Sequence, residues 1–549
     1  MSLQAKPGST VPEETKRVAQ AAFPKGNPYL TLREELAEVY ADSLFTALFP
    51  RRGQPAESPG CLAMVSVLQF AEGLSDRQAA DAVRSRIDWK YLLGLELTDP
   101  GFDFSVLSEF RDRLLRGEME QDLLDQLLER FRARGLLKER GKQRTDSTHI
   151  LAETRNLNRL EFVGETLRFA LNRLADQSPD WLKALAPAEW YERYGSRLEA
   201  YRFPKTEQER EQLALQIGRD GRQLLNWVYE PETPEVIRQL PAMQILRQVW
   251  IQQYYQQDDQ ISWRALDNLP ASQQIIKSPF DIEARFSIKR QTEWLGYKAH
   301  LTESCDEDLP HFITHVETTP ATTQDEQLVE PIHQALAEKT LLPQEHLLDR
   351  GYVNTEVLID SREKHKVEVI GPIKVNTHWQ SQSEDGLDIS HFSIDWENRK
   401  VTCPQGQENQ VWTDHSVDHA GRPRIYVRFA KNSCLPCPVR KNCTRSSKGP
   451  RTLSFKPRAE FEVLQWARQR EHTQAFKDQY AKRAGIEGTI SQGTRSFDLR
   501  RSRYIGQAKT HLQHLLIATA MNLARFANWI MEIPRAATRT SAFAALALS

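Results

Sequence analysis

The stretch Tyr480-Ala481-Lys482-Arg483-Ala484-Gly485-Ile486-Glu487 carries an aromatic ring, a guanidinium and a carboxylate at positions i, i+3 and i+7. On an α-helix these positions share one face, so the three side chains are predicted to enter a single cleft. We expect one long helix from about residue 458 to 486, with the carboxylate at its C-terminal end. Upstream, two more carboxylates, Asp146 and Asp349, are predicted to lie at the ends of strands.

Three carboxylates that converge from two strands and a helix would suit divalent cations. Mg²⁺ prefers oxygen ligands and is usually held by a few carboxylates together with the phosphate of the substrate. Two such ions about 4 Å apart can activate the attacking oxygen and stabilise the leaving oxygen in phosphodiester cleavage. We therefore assign Asp146 to both ions and Asp349 and Glu487 to one ion each. The alternative is that these are ordinary solvated charges, since the chain has 74 acidic residues.

The bulk composition indicates a globular, multidomain, cytoplasmic protein. A chain of 549 residues is too long for one core. No apolar run approaches the ~20 residues of a membrane span, and the polar N-terminus lacks the apolar segment of a secretory signal. Net charge is only −1, yet residues 419 to 459 contain eleven Lys and Arg and no acid. This basic island is a local electrostatic footprint of the kind that binds nucleic acid.

Four of the six cysteines lie in one short segment, Cys403, Cys434, Cys437 and Cys443. In a reducing cytoplasm such a cluster favours a metal site over disulfides. The Cys-x-x-Cys spacing allows two thiolates to reach one tetrahedral Zn²⁺, and four would close a structural site. Four buried free thiols are the alternative. The spare candidate ligands are His415 and His419, and the basic residues predicted to surround the module and contact DNA include Arg424, Arg428, Lys431, Arg440, Lys441 and Arg445.

The motif Tyr480-x-x-Arg483-x-x-x-Glu487, with Asp349-Arg350-Gly351-Tyr352 after a strand, resembles the signature of bacterial insertion-sequence DDE transposases. The helical region before Asp146 and the segments 501–509 and 522–525 resemble the same group, so the resemblance spans residues 30 to 529. It implies a ribonuclease H-like core in which the three acids bind two Mg²⁺ (or Mn²⁺) ions.

The resemblance also implies the DNA contacts. Tyr480 and Arg483 would contact the backbone of the transposon end, and Arg501 and Arg503 are further candidates. The family signature continues with a Lys seven residues after the Glu. That position holds Thr494 here, so the neighbouring Arg495 is the candidate for the phosphate contact.

The predicted fold is an α/β RNase H-like catalytic core with an all-α N-terminal domain, a helical insertion and a small β-rich zinc-knuckle insertion. Within the all-α domain, residues 66 to 94 have helix-turn-helix proportions, a pattern that any helical bundle can also contain. The predicted boundaries are a disordered N-terminus at 1–28, a helical DNA-binding domain at 29–137, the core at 138–156, 280–376 and 458–533, the helical insertion at 157–279, the cysteine-knuckle insertion at 377–457 and a tail at 534–549.

The predicted function is cut-and-paste transposition: cleavage at the end of a mobile element, followed by joining of the freed 3′-hydroxyl to target DNA. The predicted partners are double-stranded DNA, as both transposon ends and target, and a second copy of the chain in a homodimeric synaptic complex. The expected location is the cytoplasm, associated with the nucleoid. Two alternatives remain open, a metal-dependent DNA nuclease without strand transfer and a catalytically inactive DNA-binding relative.

Overall fold

A computed structural model describes residues 2–3, 10–257, 260–289, 291–418, 421–534 and 543. The chain forms two compact units, and both of them are discontinuous in sequence. The first unit comprises Met1–Lys138, Asp146–Thr323 and Ile486–Ser549, and the second comprises Glu139–Thr145 and Gln324–Gly485. The predicted tail at 534–549 lies almost entirely outside the described residues.

The N-terminal part of the first unit is helical. Its helices are α1 Glu13–Ala22, α2 Pro28–Leu36, α3 Pro59–Ala71, α4 Asp76–Ser85, α5 Ile87–Leu93, α6 Ser105–Arg116 and α7 Asp122–Ala133, with a 3₁₀ helix at Asp42–Leu48. The prediction of disorder through residue 28 is wrong for α1, while residues 4–9 lie outside the described part. Helix α1 is stabilised because Ala19 is fully buried and the hydroxyl of Thr15 donates to the carbonyl of Leu95.

The turn between α3 and α4 follows from its local sequence. Gly73 adopts a positive φ of 69° after the end of α3, a conformation that costs glycine little. Ser75 then caps α4, and the side chain of Gln78 bonds back to the backbone N–H of Ser75 in a capping box. The predicted helix–turn–helix geometry is therefore present, and its role in DNA binding stays a prediction.

The central sheet is mixed. Its strands are β1 Lys142–Leu151, β4 Arg285–Lys289, β5 Thr292–Ser304, β6 Ile313–Pro320, β7 Glu345–Leu348 and β8 Glu368–Ile370. In the first unit, β4 and β6 pair antiparallel to β5. In the second, the start of β1 pairs parallel to β7, and β7 pairs parallel to β8. The strand order is β4-β5-β1-β7-β8, with β6 also on β5.

Strand β1 differs from its predicted form. Asp146 was expected at the end of a strand, but it lies in the interior of β1, which continues to Leu151. The reason is that the later residues of β1 gain a partner in β5, where Gly296 leaves room for the backbone of Ile150. Asp349, by contrast, directly follows β7 as predicted.

The insertion that follows β1 is mostly helical and has its own core. It contains α8 Arg159–Gln177, α9 Pro179–Leu185, α10 Ala188–Tyr194, α11 Glu207–Val228, α12 Glu235–Arg238 and α13 Pro241–Gln253, followed by the hairpin β2 Tyr254–Gln257 and β3 Gln260–Trp263, with 3₁₀ turns at Ala200–Arg202 and Leu266–Asn268. Its buried cluster includes Leu167, Ile217, Leu224, Leu246 and Val249, each fully buried. The insertion thus contributes a separate apolar core to the first unit.

The remainder of the second unit connects the sheet to a β-rich segment. Its elements are a 3₁₀ helix Asp325–Leu328, α14 Val329–Glu338, α15 Thr355–Lys364, α16 Trp379–Gln382, a 3₁₀ turn Ile389–His391, β9 Ser393–Asp395, β10 Lys400–Thr402, β11 Asn409–Val417, β12 Pro423–Phe429, α17 Lys431–Cys434, α18 Arg440–Cys443 and β13 Thr452–Phe455. Strands β11, β12 and β13 form one antiparallel sheet over an apolar cluster around Val427 and Phe429.

The predicted single helix from 458 to 486 is wrong. Four segments replace it, α19 Arg458–Glu471, α20 Gln474–Ala481, a 3₁₀ turn Lys482–Ala484 and α21 Gly485–Ser496. The first break occurs where Thr473 accepts the backbone N–H of Phe476 and so caps a new helix.

The last helix, α22 Gln507–Ile530, belongs to the first unit. It contacts α2, α3, α7 and β6, and Phe526 stacks on Phe131, which stacks on Phe312. The N-terminal helices and the antiparallel strands therefore share packing with α22. The structure describes no helix that combines the length and apolar character of a membrane crossing.

Candidate active site

Asp146 is a buried carboxylate on the central strand. Its side chain is 9 % exposed, and its Oδ1 accepts the backbone N–H of Ser147 at 2.8 Å. Alternate residues on a strand point to the same face, so Arg144, Asp146 and Thr148 share one face of β1. All three are buried.

Two residues on this face of β1, Arg144 and Thr148, contact the segments on either side of α21. Nη1 of Arg144 donates to the carbonyl oxygen of Lys482 at 2.6 Å. Nε of Arg500 donates to the hydroxyl of Thr148 at 2.9 Å. The segment from residue 482 to 500, which includes α21, therefore contacts this face of β1 on both sides of Asp146.

Asp349 lies in a tight turn directly after β7. The parallel register pairs Thr145 with Leu348. Asp146 and Asp349 are the residues that directly follow these two in sequence. Oδ1 of Asp349 accepts the N–H of Gly351 at 2.8 Å, and the fully buried ring of Tyr352 anchors the turn. The Asp-Arg-Gly-Tyr motif thus combines an oriented carboxylate with an apolar anchor.

Glu487 is exposed in the first turn of α21. Two residues later, the hydroxyl of Thr489 donates to Oε2 of Glu303, a carboxylate with no exposed surface. Arg525 completes this network, with Nη1 2.9 Å from Oε2 of Glu303 and Nη2 2.7 Å from the hydroxyl of Thr489. These contacts join α21 to β5 and α22.

Sequence reasoning missed the roles of Glu303 and Arg144. Neither residue lies in a recognisable motif, and their partners, at residues 482 and 489, are more than 180 positions away. The property that marks both residues is burial of a charge, which is rare and in folded proteins requires a partner. Burial itself is known only from the tertiary structure.

The predicted DNA-contact residues Tyr480 and Arg483 lie on α20 and on the 3₁₀ turn, not on the helix of Glu487. The one-face argument from i, i+3 and i+7 spacing therefore does not apply as stated, because a 3₁₀ turn changes the rotation per residue. Tyr480 stacks on Phe476 with ring centroids 5.8 Å apart. Both Tyr480 and Arg483 are half-buried.

Thr494 and Arg495 follow Glu487 on the same helix. The hydroxyl of Thr494 bonds back to the carbonyl of Ile490 at 2.8 Å, whereas Arg495 is exposed. Positions i+7 and i+8 are neighbours on the helix face of residue i. Arg495 is therefore the better placed of the two for an external ligand.

Arg501 and Arg503 have different surroundings. Arg501 is exposed. Arg503 donates to the carbonyl of Leu74 at 2.8 Å, and its guanidinium lies 4.8 Å from the ring centroid of Phe70. Arg503 therefore has a structural contact with the turn after α3, which competes with its predicted role on DNA.

The four clustered cysteines lie together. Cys403, Cys434, Cys437 and Cys443 line one cavity of about 320 Å³. Burial raises the pKa of the Cys443 thiol; Arg451 opposes this rise, and the thiols of Cys434, Cys437 and Cys403 add to it. Across the described residues, no three His, Cys, Asp or Glu side chains are arranged to hold a metal ion. The thiols therefore share a cavity without forming a closed ligand set, although their chemistry suits Zn²⁺.

The basic residues around the cysteines divide into two groups. Arg428, Lys431, Lys441 and Arg445 are exposed. Arg440 instead donates to the carbonyls of Ser446 and Gly449, so it organises the loop. His415 is exposed on β11, and Arg424 is half-buried, while His419 lies outside the described residues.

The three predicted catalytic acids are divided between the units. Asp146 and Glu487 belong to the first unit and Asp349 to the second. Their convergence on shared metal ions stays a prediction.

Two protein-family models match the chain. The Transposase DDE domain matches residues 402–527, which include the cysteines and Glu487 but neither aspartate. A second transposase domain (DUF772) matches residues 17–113, which are α1 to α6 with their connections. No curated protein matches the chain. A DDE domain implies an RNase H-like core, a nucleotidyltransferase-type activity, divalent metal dependence and DNA as the partner. Together the two matches indicate an insertion-sequence DDE transposase.

Proposed function

We propose that this protein binds the ends of its mobile element and catalyses metal-dependent cleavage and transfer of the DNA strand. Asp146, Asp349 and Glu487 are the proposed catalytic residues. The observation that carries this proposal is the register of β1 and β7, in which both aspartates directly follow the last paired residues, Thr145 and Leu348. Glu487 is supported by the contacts that Arg144 and Thr148 make with the chain on either side of α21.

The three carboxylates would hold two Mg²⁺ or Mn²⁺ ions. When bound, these ions supply activation of the attacking oxygen and stabilisation of the leaving oxygen. The protein's own part is orientation. The N–H of Gly351 holds the carboxylate of Asp349 at 2.8 Å, the N–H of Ser147 holds that of Asp146, and Thr489 fixes the first turns of α21 on the buried Glu303.

The DNA would be bound by side chains near this site and by basic side chains on the β-rich segment. Arg495 and Arg501 are exposed, and Arg483 and Tyr480 are half-buried. Arginine suits this role because its planar guanidinium can hold a phosphate through two hydrogen bonds. Three basic residues near the cysteine cavity are exposed, Arg428, Lys431 and Lys441. They would contact phosphates along the DNA backbone.

The β-rich segment at 377–457 would be a zinc-knuckle insertion that clamps the transposon end. Its support is the shared cavity of the four cysteines and the packing of Cys403, Cys434 and Cys443 against the apolar cluster of β12 and β13. The remaining proposed parts are the helical DNA-binding domain at 29–137, the helical insertion at 157–279 and the divided core. A homodimer that holds two ends together completes the proposal.

The catalytic assignment is tested by single isosteric substitutions. Asp146→Asn, Asp349→Asn and Glu487→Gln should each abolish Mg²⁺-dependent cleavage of a plasmid that carries the gene with its own flanking DNA. Asp360→Asn is the matched control, because Asp360 pairs with Lys364 on the surface of α15. Full activity of any of the three variants would refute the assignment of that residue.

Strand transfer is tested separately. A labelled oligonucleotide duplex with the element's terminal sequence should become joined to a target plasmid through its 3′-hydroxyl. Cleavage without joining would identify a nuclease, and neither reaction would identify a DNA-binding relative without catalysis.

The zinc proposal is tested by native mass spectrometry of freshly purified protein. We expect one Zn²⁺ per chain, lost in Cys434→Ser and retained in Cys61→Ser. Cys61 is the control because it is a free cysteine on α3, outside the cluster. Substoichiometric metal in the unsubstituted protein would refute the site.

A further inference from the structure

Arg144 is a buried arginine two residues before Asp146. Its side chain is 6 % exposed. Nη1 donates to the carbonyl oxygen of Lys482 at 2.6 Å. This carbonyl opens the 3₁₀ turn that ends at Ala484, and it also accepts the N–H of Gly485. The guanidinium therefore binds the turn between α20 and α21.

Gly485 provides the space for this contact. A Cβ at position 485 would overlap the guanidinium of Arg144. Gly485 has an ordinary negative φ of −61°, so its backbone conformation does not require glycine. A Cβ at this position could be accommodated only by displacing the guanidinium of Arg144.

This contact bears on both catalytic carboxylates of the first unit. Arg144 and Asp146 share one face of β1, and Gly485 precedes Glu487 by two residues on α21. An α-helix rises about 1.5 Å per residue, so Glu487 lies within one turn of the clamped position. A shift of the turn against Arg144 would move Glu487 relative to Asp146.

We infer that Arg144 is a positioning residue that sets the start of α21, and with it Glu487, against Asp146. This inference rests on the proposed function. The planar fork of arginine suits this role because Nη1 binds the carbonyl of Lys482 while Nη1, Cζ and Nη2 all lie where a Cβ of residue 485 would stand. Lysine would keep the charge and lose this geometry.

The test uses two substitutions that disturb the contact from opposite sides, Arg144→Lys and Gly485→Ala. Arg140→Lys is the matched control, because Arg140 also donates to backbone carbonyls and these belong to His365 and Lys366, which lie outside the turn. Binding of Mn²⁺ alone is followed by electron paramagnetic resonance. Hydrogen exchange of the amides from 482 to 489 reports the position of the turn independently of activity.

We expect both variants to weaken Mn²⁺ binding by roughly tenfold, the range seen when groups that orient metal ligands are lost. Exchange at 482 to 489 should become faster, and the control should match the unsubstituted protein in both measurements. A variant pair with unchanged Mn²⁺ binding and unchanged exchange would overturn the role of Arg144.

The same measurements distinguish this failure from failure of the proposed function. If Asp146→Asn abolishes Mn²⁺ binding while Arg144→Lys and Gly485→Ala do not weaken it, only the role of Arg144 is overturned. If Asp146→Asn leaves Mn²⁺ binding unchanged, the carboxylate site itself is overturned.

Discussion

The buried ion pair between Glu303 and Arg525 offers a quantitative test of how α21 is held. Glu303 has no exposed surface, and the side chain of Arg525 is 16 % exposed. Arg525 makes five hydrogen bonds among the described residues, to Glu303, Thr489, His311 and twice to Gln492. Arg525→Met would remove the cation of this pair and the hydrogen bond that it donates to the buried carboxylate of Glu303.

Removing one partner of a buried pair costs about 3–5 kcal/mol of unfolding free energy, mainly because the remaining charge loses that compensation while it stays buried. Glu303→Gln in the same chain removes that charge, so the double variant should recover roughly 1–3 kcal/mol of the loss. The control is Arg458→Met, which breaks the exposed pair with Glu462 and should change stability little.

Urea unfolding followed by circular dichroism measures these differences. Because the chain has two units, hydrogen exchange of residues 485–496 and 507–530 should be followed as well, to report the opening of α21 and α22 directly. The reasoning is refuted if Arg525→Met is no more destabilising than Arg458→Met. It is also refuted if the double variant loses the full sum of the two single losses.

Three further outcomes are expected. Burial lowers the pKa of His333 to about 3 and that of His346 well below its usual value. Their contribution to the free energy of unfolding should therefore be fully present above the unfolded pKa of about 6.5 and should fall as the pH decreases toward the folded pKa values, by about 1.4 kcal/mol per pH unit for each histidine. His333→Gln should reduce this slope in urea titrations. Gly221→Ala should destabilise the helical segment after β1 by about 1–3 kcal/mol, because overlap of the new Cβ with Trp250 outweighs the helix preference of alanine. Tryptophan fluorescence during unfolding measures this loss of stability. Arg503→Ala should lower unfolding free energy by about 1 kcal/mol through its lost backbone hydrogen bond, and a loss of DNA affinity at unchanged stability would contradict this.

Much of the secondary structure was predictable because its causes are local. The sequence patterns at 296–302, 312–316, 347–349 and 367–372 are strand-like, and these stretches lie in or overlap β5 to β8. The helix ends at Gly73 and Ser75 were also predictable, since a positive φ and a capping side chain act over a few residues. Strands β11 and β13 were missed, because their pairing with β12 gives them a stability that their own patterns do not signal.

The errors also have physical causes. The helix from 458 to 486 was predicted as continuous, yet Thr473 starts a new helix and the turn at 482–484 is bound by an arginine about 340 residues away. The helix α1 was predicted as disordered because its sequence is polar, yet Ala19 and Thr15 are buried.

Local sequence was enough to predict most of the helices and strands, the spacing of the Tyr-Arg-Glu motif and the grouping of four cysteines, because propensity, capping and ligand spacing depend on near neighbours. The tertiary structure alone decided which charges are buried, which arginines serve the fold and where the last helices break. These depend on contacts such as Arg144 with Lys482 and Glu303 with Arg525, whose partners lie hundreds of residues apart. Their energies come from burial and pairing of charge, and burial exists only once the chain has folded.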